Sequence, residues 1–219
     1  MEEDDLNALQ YRTRTTLSII RHPLLPLLLS GIHHTANPLP QQRLSNSLAS
    51  LLLDIPSEIF IPFLSAFYQT LISYWSSIPA LRLDKYLYLV RVYVSHTFIY
   101  FSQHEWSQDL LDSWVAMTRG QRYSQGVLDP NDMKVSDGLR YHVLDVWIDG
   151  LVEATAWELN LKRGPLKPIQ TIMDMGSSRT LKERAQRVIS DERVSRLLSD
   201  TPNDAGEHEL SDDEFIGFV

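Results

Sequence analysis

An all-α fold of helical hairpins, of the α-solenoid or HEAT-like kind, is predicted by three features of this 219-residue chain. Apolar residues recur three and four apart almost throughout, which is the spacing of one helix face. No strand-type alternation of apolar and polar residues runs longer than four residues. Proline- and glycine-bearing breaks separate the periodic stretches and divide the chain into roughly six to eight helices.

Leu6, Leu9, Leu17, Ile20 and Leu24 mark an opening helix that weakens at Pro23 and Pro26. Asn37-Pro38-Leu39-Pro40 is a break, since the first proline disfavours a helical Asn37 and neither proline has an N–H to donate. Leu44, Leu48, Leu51 and Leu52 then share one face of a second helix. Asp54-Ile55-Pro56 ends it, and Ser57 is placed to cap the next helix. There Phe60, Phe63, Leu64, Phe67, Leu71 and Trp75 continue the spacing, and Pro62 is tolerable only in the first turns.

After Pro79, the segment LRLDKYLYLVRVYVSHTFIYF (81–101) carries a stripe of Leu83, Leu87, Val90 and Val94, widened by Tyr86 and Tyr93. Trp106 to Met117 is a further helix. From about Thr118 to Asp137 the composition turns to Gly, Pro, Asn, Asp and Ser, and a loop near 20 residues inside a compact domain is often functional. Asp137 is a good N-cap for a helix whose Leu139, Val143, Val146, Trp147 and Leu151 face the core. Gly164-Pro165 and Pro168 mark a connection, and Thr180-x-x-Glu183 reads as a capping box opening a last helix toward Leu198. Residues 1–199 are expected to form one helical domain. Residues 200–219 are an acidic tail, either disordered alone or, through Phe215, Ile216, Phe218 and Val219, a short docking peptide.

A hydrophobic share of 43% and five tryptophans fit a chain with a real core. The absence of cysteine excludes disulfides, a thiol nucleophile and any Cys-based zinc site. The acidic start MEEDDLNAL lacks the positive charge of a secretory signal, and Leu24–Leu29, interrupted by Pro26, is too short to span a bilayer. A soluble, intracellular protein is expected. The net charge of −8 is unevenly placed: with the four acids of Glu2–Asp5 and the seven of residues 200–219 set aside, 17 acids face 20 Lys and Arg, leaving about +3 on residues 6–199. That distribution permits contact with RNA or with an acidic protein patch.

His142, Asp145 and Asp149 share a helix face, as a metal or acid–base set would. The stronger reading pairs the two carboxylates with arginines across a helix interface, Arg82, Arg91 and Arg140 being available, and makes Asp145 worth about a few kcal/mol of packing. Arg82, Asp84 and Lys85 read first as helix-border ion pairs and second as a protein contact surface. His33 and His34 are adjacent, so on a helix they point about 100° apart and chelate poorly. Arg179, Lys182, Arg184, Arg187, Arg193 and Arg196 form either an RNA-phosphate stripe or a solvated, salt-bridged face, since Glu183, Asp191 and Glu192 interleave. No aromatic residue sits among them to stack bases. Phosphate-loop, dinucleotide, nucleophile-elbow and zinc-protease motifs are all absent from the sequence, so no catalytic residue, metal, cofactor or small-molecule substrate is assigned.

The segments LRLDKYLYLVRVYV (81–94) and LDPNDMKVSDGLRYHVLDVWIDGL (128–151) resemble the ribosomal RNA processing protein 1 family, the nucleolar Nop52-type proteins. NPLPQQRLSNSLASLLL (37–53), FLSAFYQTLISYW (63–75) and LKERAQRVISDER (181–193) support the likeness, which covers most of residues 20–195. Residues 25–36, LPLLLSGIHHTA, depart from the aromatic-rich helix usual there. The resemblance implies a nuclear, nucleolar assembly factor of the large ribosomal subunit, a non-catalytic scaffold binding other assembly factors and, in one version, pre-rRNA. Most of the positions it marks here read as fold-defining, with the exposed charges among Arg82, Asp84, Lys85, Arg91, Arg140, His142, Asp145 and Asp149, and the 118–137 loop, as protein contacts. The alternative is a helical adaptor in membrane trafficking, which the acidic Glu2–Asp5 disfavours because anionic lipid repels it.

Overall fold

The computed structural model describes residues 38–121, 125–155, 164–176 and 178–198. The opening helix, the His33-His34 pair, the Glu2–Asp5 cluster and the 200–219 tail lie outside these residues. Among the described residues every regular element is a helix. They are α1 (Pro38–Ser50), α2 (Ser57–Tyr74), α3 (Leu83–Gln103), α4 (Gln108–Thr118), α5 (Asp137–Asp145), α6 (Trp147–Thr155), α7 (Lys167–Met175), α8 (Arg179–Ile189) and α9 (Glu192–Leu198). Short 3₁₀ turns occupy Leu51–Asp54, Trp75–Ser77, Ala80–Arg82 and Gly164–Leu166. None of these helices is long and apolar enough to cross a membrane.

The helices pack in two layers around α3. On one side α1, α3 and α6 lie next to each other, with α5 against α3, α8 against α5 and α9 against α6. On the other, α2 meets α4 and α4 meets α7. α3 runs parallel to its layer neighbours: the Tyr93 hydroxyl donates to Leu48 O and Tyr100 to Ile55 O, while Arg91 and Ser95 meet Asp149 and Glu153. Against α2 it is antiparallel, since Phe60 stacks on Tyr100 and Phe67 on Tyr93, with centroids 3.7 and 3.6 Å apart. Alternate helices pointing the same way, with antiparallel ones behind them, is the arrangement of stacked helical hairpins.

Side-chain size sets the two spacings. The α2–α3 interface is filled by flat rings, and Phe98, Trp114 and Trp147 continue the aromatic core toward α4 and α6 by edge contacts. The α3–α6 interface is close because Gly150 has no side chain: a Cβ there would lie 3.1 Å from Ser95 Cα. One apolar cluster runs from Leu48 to Leu197.

Leu139, Val143, Val146, Trp147 and Leu151 are all buried, as the spacing predicts. Pro38 and Pro40 open α1 rather than merely interrupting the chain, which their missing N–H groups allow in a first turn. Other local expectations need correction. Leu51 is exposed, and Gln41, Ser45 and Ala49 join Leu48 and Leu52 on the buried face, because the face that meets the core is rotated away from Leu44 and Leu51 toward these smaller and polar positions. Ser57 is the first residue of α2 and does not cap it; Pro56 holds the N-cap position and its carbonyl accepts from Ile59 and Phe60. Asp137 likewise lies inside α5, after the N-cap Ser136. The cap of α8 is Ser178, whose hydroxyl accepts from Leu181 N, while Glu183 pairs with Arg179 instead of closing a box with Thr180. The stretch after Asp137 is two helices hinged at Val146, and the one toward Leu198 is two hinged at Ser190-Asp191. α7 stands where only a connection is expected, with Pro168 in its first turn.

Candidate interaction surface

The two carboxylates on the α5–α6 face are ionic ties between helices. Asp149 in α6 accepts from Arg91 in α3 at 3.3 Å and from Arg193 in α9 at 3.0 Å. Arg193 also holds Asp191 at 2.8 Å, so one guanidinium bridges two acids. Its hydrogen bonds to Asp191 and Asp149 raise the Arg193 pKa further, and the same contact pulls the Asp191 carboxyl below its usual range. Asp145 at the end of α5 accepts from Arg184 in α8 at 2.6 Å, with that guanidinium lying 4.5 Å from the Tyr141 ring centroid. Asp145 is about half exposed, so its ion pair contributes about 1 kcal/mol or less, not the few expected for a buried one.

His142 belongs to the same seam in another way. Its Nε2 lies 2.7 Å from Leu87 O, so the Nε2–H tautomer donates there and ties α5 to α3. Burial pushes the imidazole pKa below 6.5, outweighing the carbonyl contact; Arg91 also lowers it and Asp145 raises it. The unfolded chain therefore binds the proton first, so this stability is intact above pH 6.5 and is lost as pH falls through the folded value. The expected result is a lower melting temperature at pH 5.5 than at pH 7.5, with a smaller gap in His142→Gln, whose amide can still donate to Leu87. Melts at both pH values check this, and an unchanged gap refutes it. Among the described residues no group of three or more His, Asp or Glu is placed to hold a metal ion.

Arg140 takes neither of its expected partners. Only 4% of it is exposed, and its guanidinium faces the 125–136 loop. Nε and Nη2 donate to Asp129 O at 3.1 and 2.6 Å, Nη2 also to Asp132 O, and Nη1 to Val135 O at 2.7 Å and to the Asp137 carboxylate at 2.9 Å. The loop is packed as well, with Val127, Leu128 and Val135 buried and Leu128 N donating to Thr118 O at 2.9 Å. The expected contact loop is therefore a rigid platform, and Arg140 is its internal clamp rather than a surface residue.

The late basic residues do not form one stripe. Arg179 pairs with Glu183 at 2.7 Å and Arg196 with Glu192 at 3.5 Å, while Arg184 and Arg193 face acids of α5 and α6. Lys182 and Arg187 pair with no carboxylate among the described residues, and five positions apart they point about 140° away from each other on α8. Arg82, Asp84 and Lys85 lie where the 3₁₀ turn before α3 passes into its first turn, Asp84 exposed and the two cations half-buried.

Sequence reasoning passed over two features. Ser95 donates to Glu153, a second polar tie between α3 and α6. Exposed apolar side chains stand at Leu81 (98%), Met133 (96%) and Tyr74 (50%). An isolated Leu or Met carries no signal of exposure in a helical pattern.

Residues 31–216 match the family described as nucleolar protein, Nop52. Among curated proteins, the chain is 27% identical over 123 residues to human ribosomal RNA processing protein 1 homolog B, covering 56% of this chain and 15% of that protein. To mouse ribosomal RNA processing protein 1 homolog A it is 28% identical over 123 residues, 56% of this chain and 24% of the relative. The Drosophila melanogaster homolog is 25% identical over 135 residues, 59% of this chain and 19% of the relative. The match thus spans about a quarter or less of these relatives' length.

Proposed function

From the premise that this chain belongs to the Nop52 family of nucleolar proteins, we propose that it acts in ribosomal RNA processing as a non-catalytic helical scaffold of large-subunit assembly. The family match over residues 31–216 carries the reading, and the names of the relatives, ribosomal RNA processing proteins, agree with it. The packing is compatible with it: the acids that could have formed a reaction centre are engaged by arginines and bind neighbouring helices together. In this reading the partners are other assembly factors, held by outward side chains around Arg82, Asp84 and Lys85 and by the 125–136 platform. The decisive experiment is affinity purification of the tagged chain with gradient sedimentation. Recovery with large-subunit precursors and their assembly factors supports the scaffold, and a chain confined to free fractions rejects it.

Pre-rRNA contact, in the same proposal, falls to Lys182 and Arg187 and not to the paired arginines. The double substitution Lys182→Glu, Arg187→Glu is expected to weaken RNA binding several-fold, to flatten its salt dependence by about two phosphate contacts, and to leave the melting temperature unchanged. Arg184→Gln is expected to lower the melting temperature with little effect on RNA. A salt titration of RNA binding beside thermal melts checks both: equal affinity for the double variant and the parent removes Lys182 and Arg187 as the contact, and binding unchanged across the salt range removes RNA from the function.

A further inference from the structure

We infer that the acidic-apolar segment 209–219 docks back onto the corner between α2 and α3, covering Tyr74, Leu81 and Met133. The corner is built from two 3₁₀ turns around Pro79, and its backbone is closed by Ile78 N to Trp75 O at 3.2 Å and Arg82 N to Pro79 O at 2.8 Å. The Arg140-clamped loop is brought to the same end: a Cβ on Gly138 would lie 3.8 Å from Trp75 Nε1. Leu81 and Met133 are almost fully exposed and Tyr74 half so. Arg82 and Lys134 border them, and neither has a carboxylate at ion-pair distance among the described residues, whereas Arg91, Arg184 and Arg193 are engaged elsewhere. Of the nearby acids, Asp137 is held by Arg140 and Asp132 caps Lys134 N, which leaves Asp84 as the opposing charge.

The segment offers the complementary chemistry. Asp212, Asp213 and Glu214 run directly into Phe215, Ile216, Phe218 and Val219. The family match continues to residue 216, past the end of α9 at Leu198, and so takes in residues 209–216 of this stretch. It also reaches. Arg91 and Arg193 meet on Asp149, which keeps Leu81 within about 45 Å of Leu198 along α3 and α9. The seventeen residues from there to Phe215 extend to about 55 Å.

Because the chain has no cysteine, paired nitroxides can be placed in the full-length protein at Ser77→Cys and Ser211→Cys. Double electron–electron resonance, with labelled protein diluted into unlabelled, is expected to give a narrow distance below about 30 Å. That distance should become broad when Phe215→Ser and Phe218→Ser are added. A broad distribution already present in the parent overturns the inference, as does a narrow one that the phenylalanine substitutions leave unchanged. A signal that vanishes on dilution with unlabelled chain overturns it too, since it assigns the contact to a second copy.

Discussion

Replacing Arg140 by methionine is expected to cost about 3 kcal/mol of stability, the largest loss from any single charged residue among those described. Methionine matches much of the side-chain volume, so the penalty comes from the carbonyls of Asp129, Asp132 and Val135 losing their donors, not from a cavity. These oxygens recover water only if the loop opens, and opening also exposes Val127, Leu128 and Val135. Arg140→Lys should restore little of the loss, because one ammonium cannot span the positions reached by a planar guanidinium. Chemical denaturation measures the cost. Hydrogen exchange at the Leu128 and Val135 amides shows whether the loop has opened. A methionine variant with parental stability and protection would show that apolar burial alone holds the loop.

Substituting Gly150 by valine is expected to cost about 3 kcal/mol or more by forcing α3 and α6 apart. The added Cβ would meet Ser95 Cα at 3.1 Å and Ser95 N at 3.2 Å, and backbone cannot move aside as a side-chain end can. Alanine is the instructive intermediate. It meets the same contact but gains up to about 1 kcal/mol of helix propensity over glycine, so its net loss should be about 1 kcal/mol. The separation should also break the Ser95–Glu153 hydrogen bond and disturb Trp147, which packs edge-on against Phe98 of α3. Thermal melts of both variants with near-ultraviolet circular dichroism check this. A valine variant as stable as the parent would mean that the interface has room the geometry denies.

Helix periodicity was readable wherever an apolar stripe was long. α2, α3 and α4 lie close to their expected spans, and the five apolar positions named on α5, α6 and the Val146 hinge between them are all buried. Caps were less readable, because Ser57, Asp137 and Thr180 are good capping types that stand one or two residues past the true N-caps, Pro56, Ser136 and Ser178. The hinges at Val146 and Ser190 carry no glycine or proline, so no local signal separates them from continuing helix. α7 escaped notice because two prolines precede its apolar face, and a proline in a first turn looks the same in sequence as one in a loop.

Among the candidate contacts, the expectation that the carboxylates pair with arginines across a helix interface agrees with the structure at Asp149 and Arg91, and the partner of Asp145 comes from a helix that the sequence left open between an RNA stripe and a salt-bridged face. An arginine in a sequence declares its charge and its reach but not the side of the molecule to which its helix will return.

The sequence by itself determined that the described part of this chain is helical and most of the positions that enter the core, because both depend on residues three or four apart. It also carried the family likeness. Only the tertiary structure decided which acid each arginine holds, that Arg140 is buried as the clamp of a loop, and that Gly150 sets the approach of two helices. The inter-helix ion pairs and the Gly150 contact depend on residues about 40 to 60 positions apart, and the Arg140 clamp on how a non-periodic loop 3 to 11 residues away folds back, neither of which helical spacing encodes.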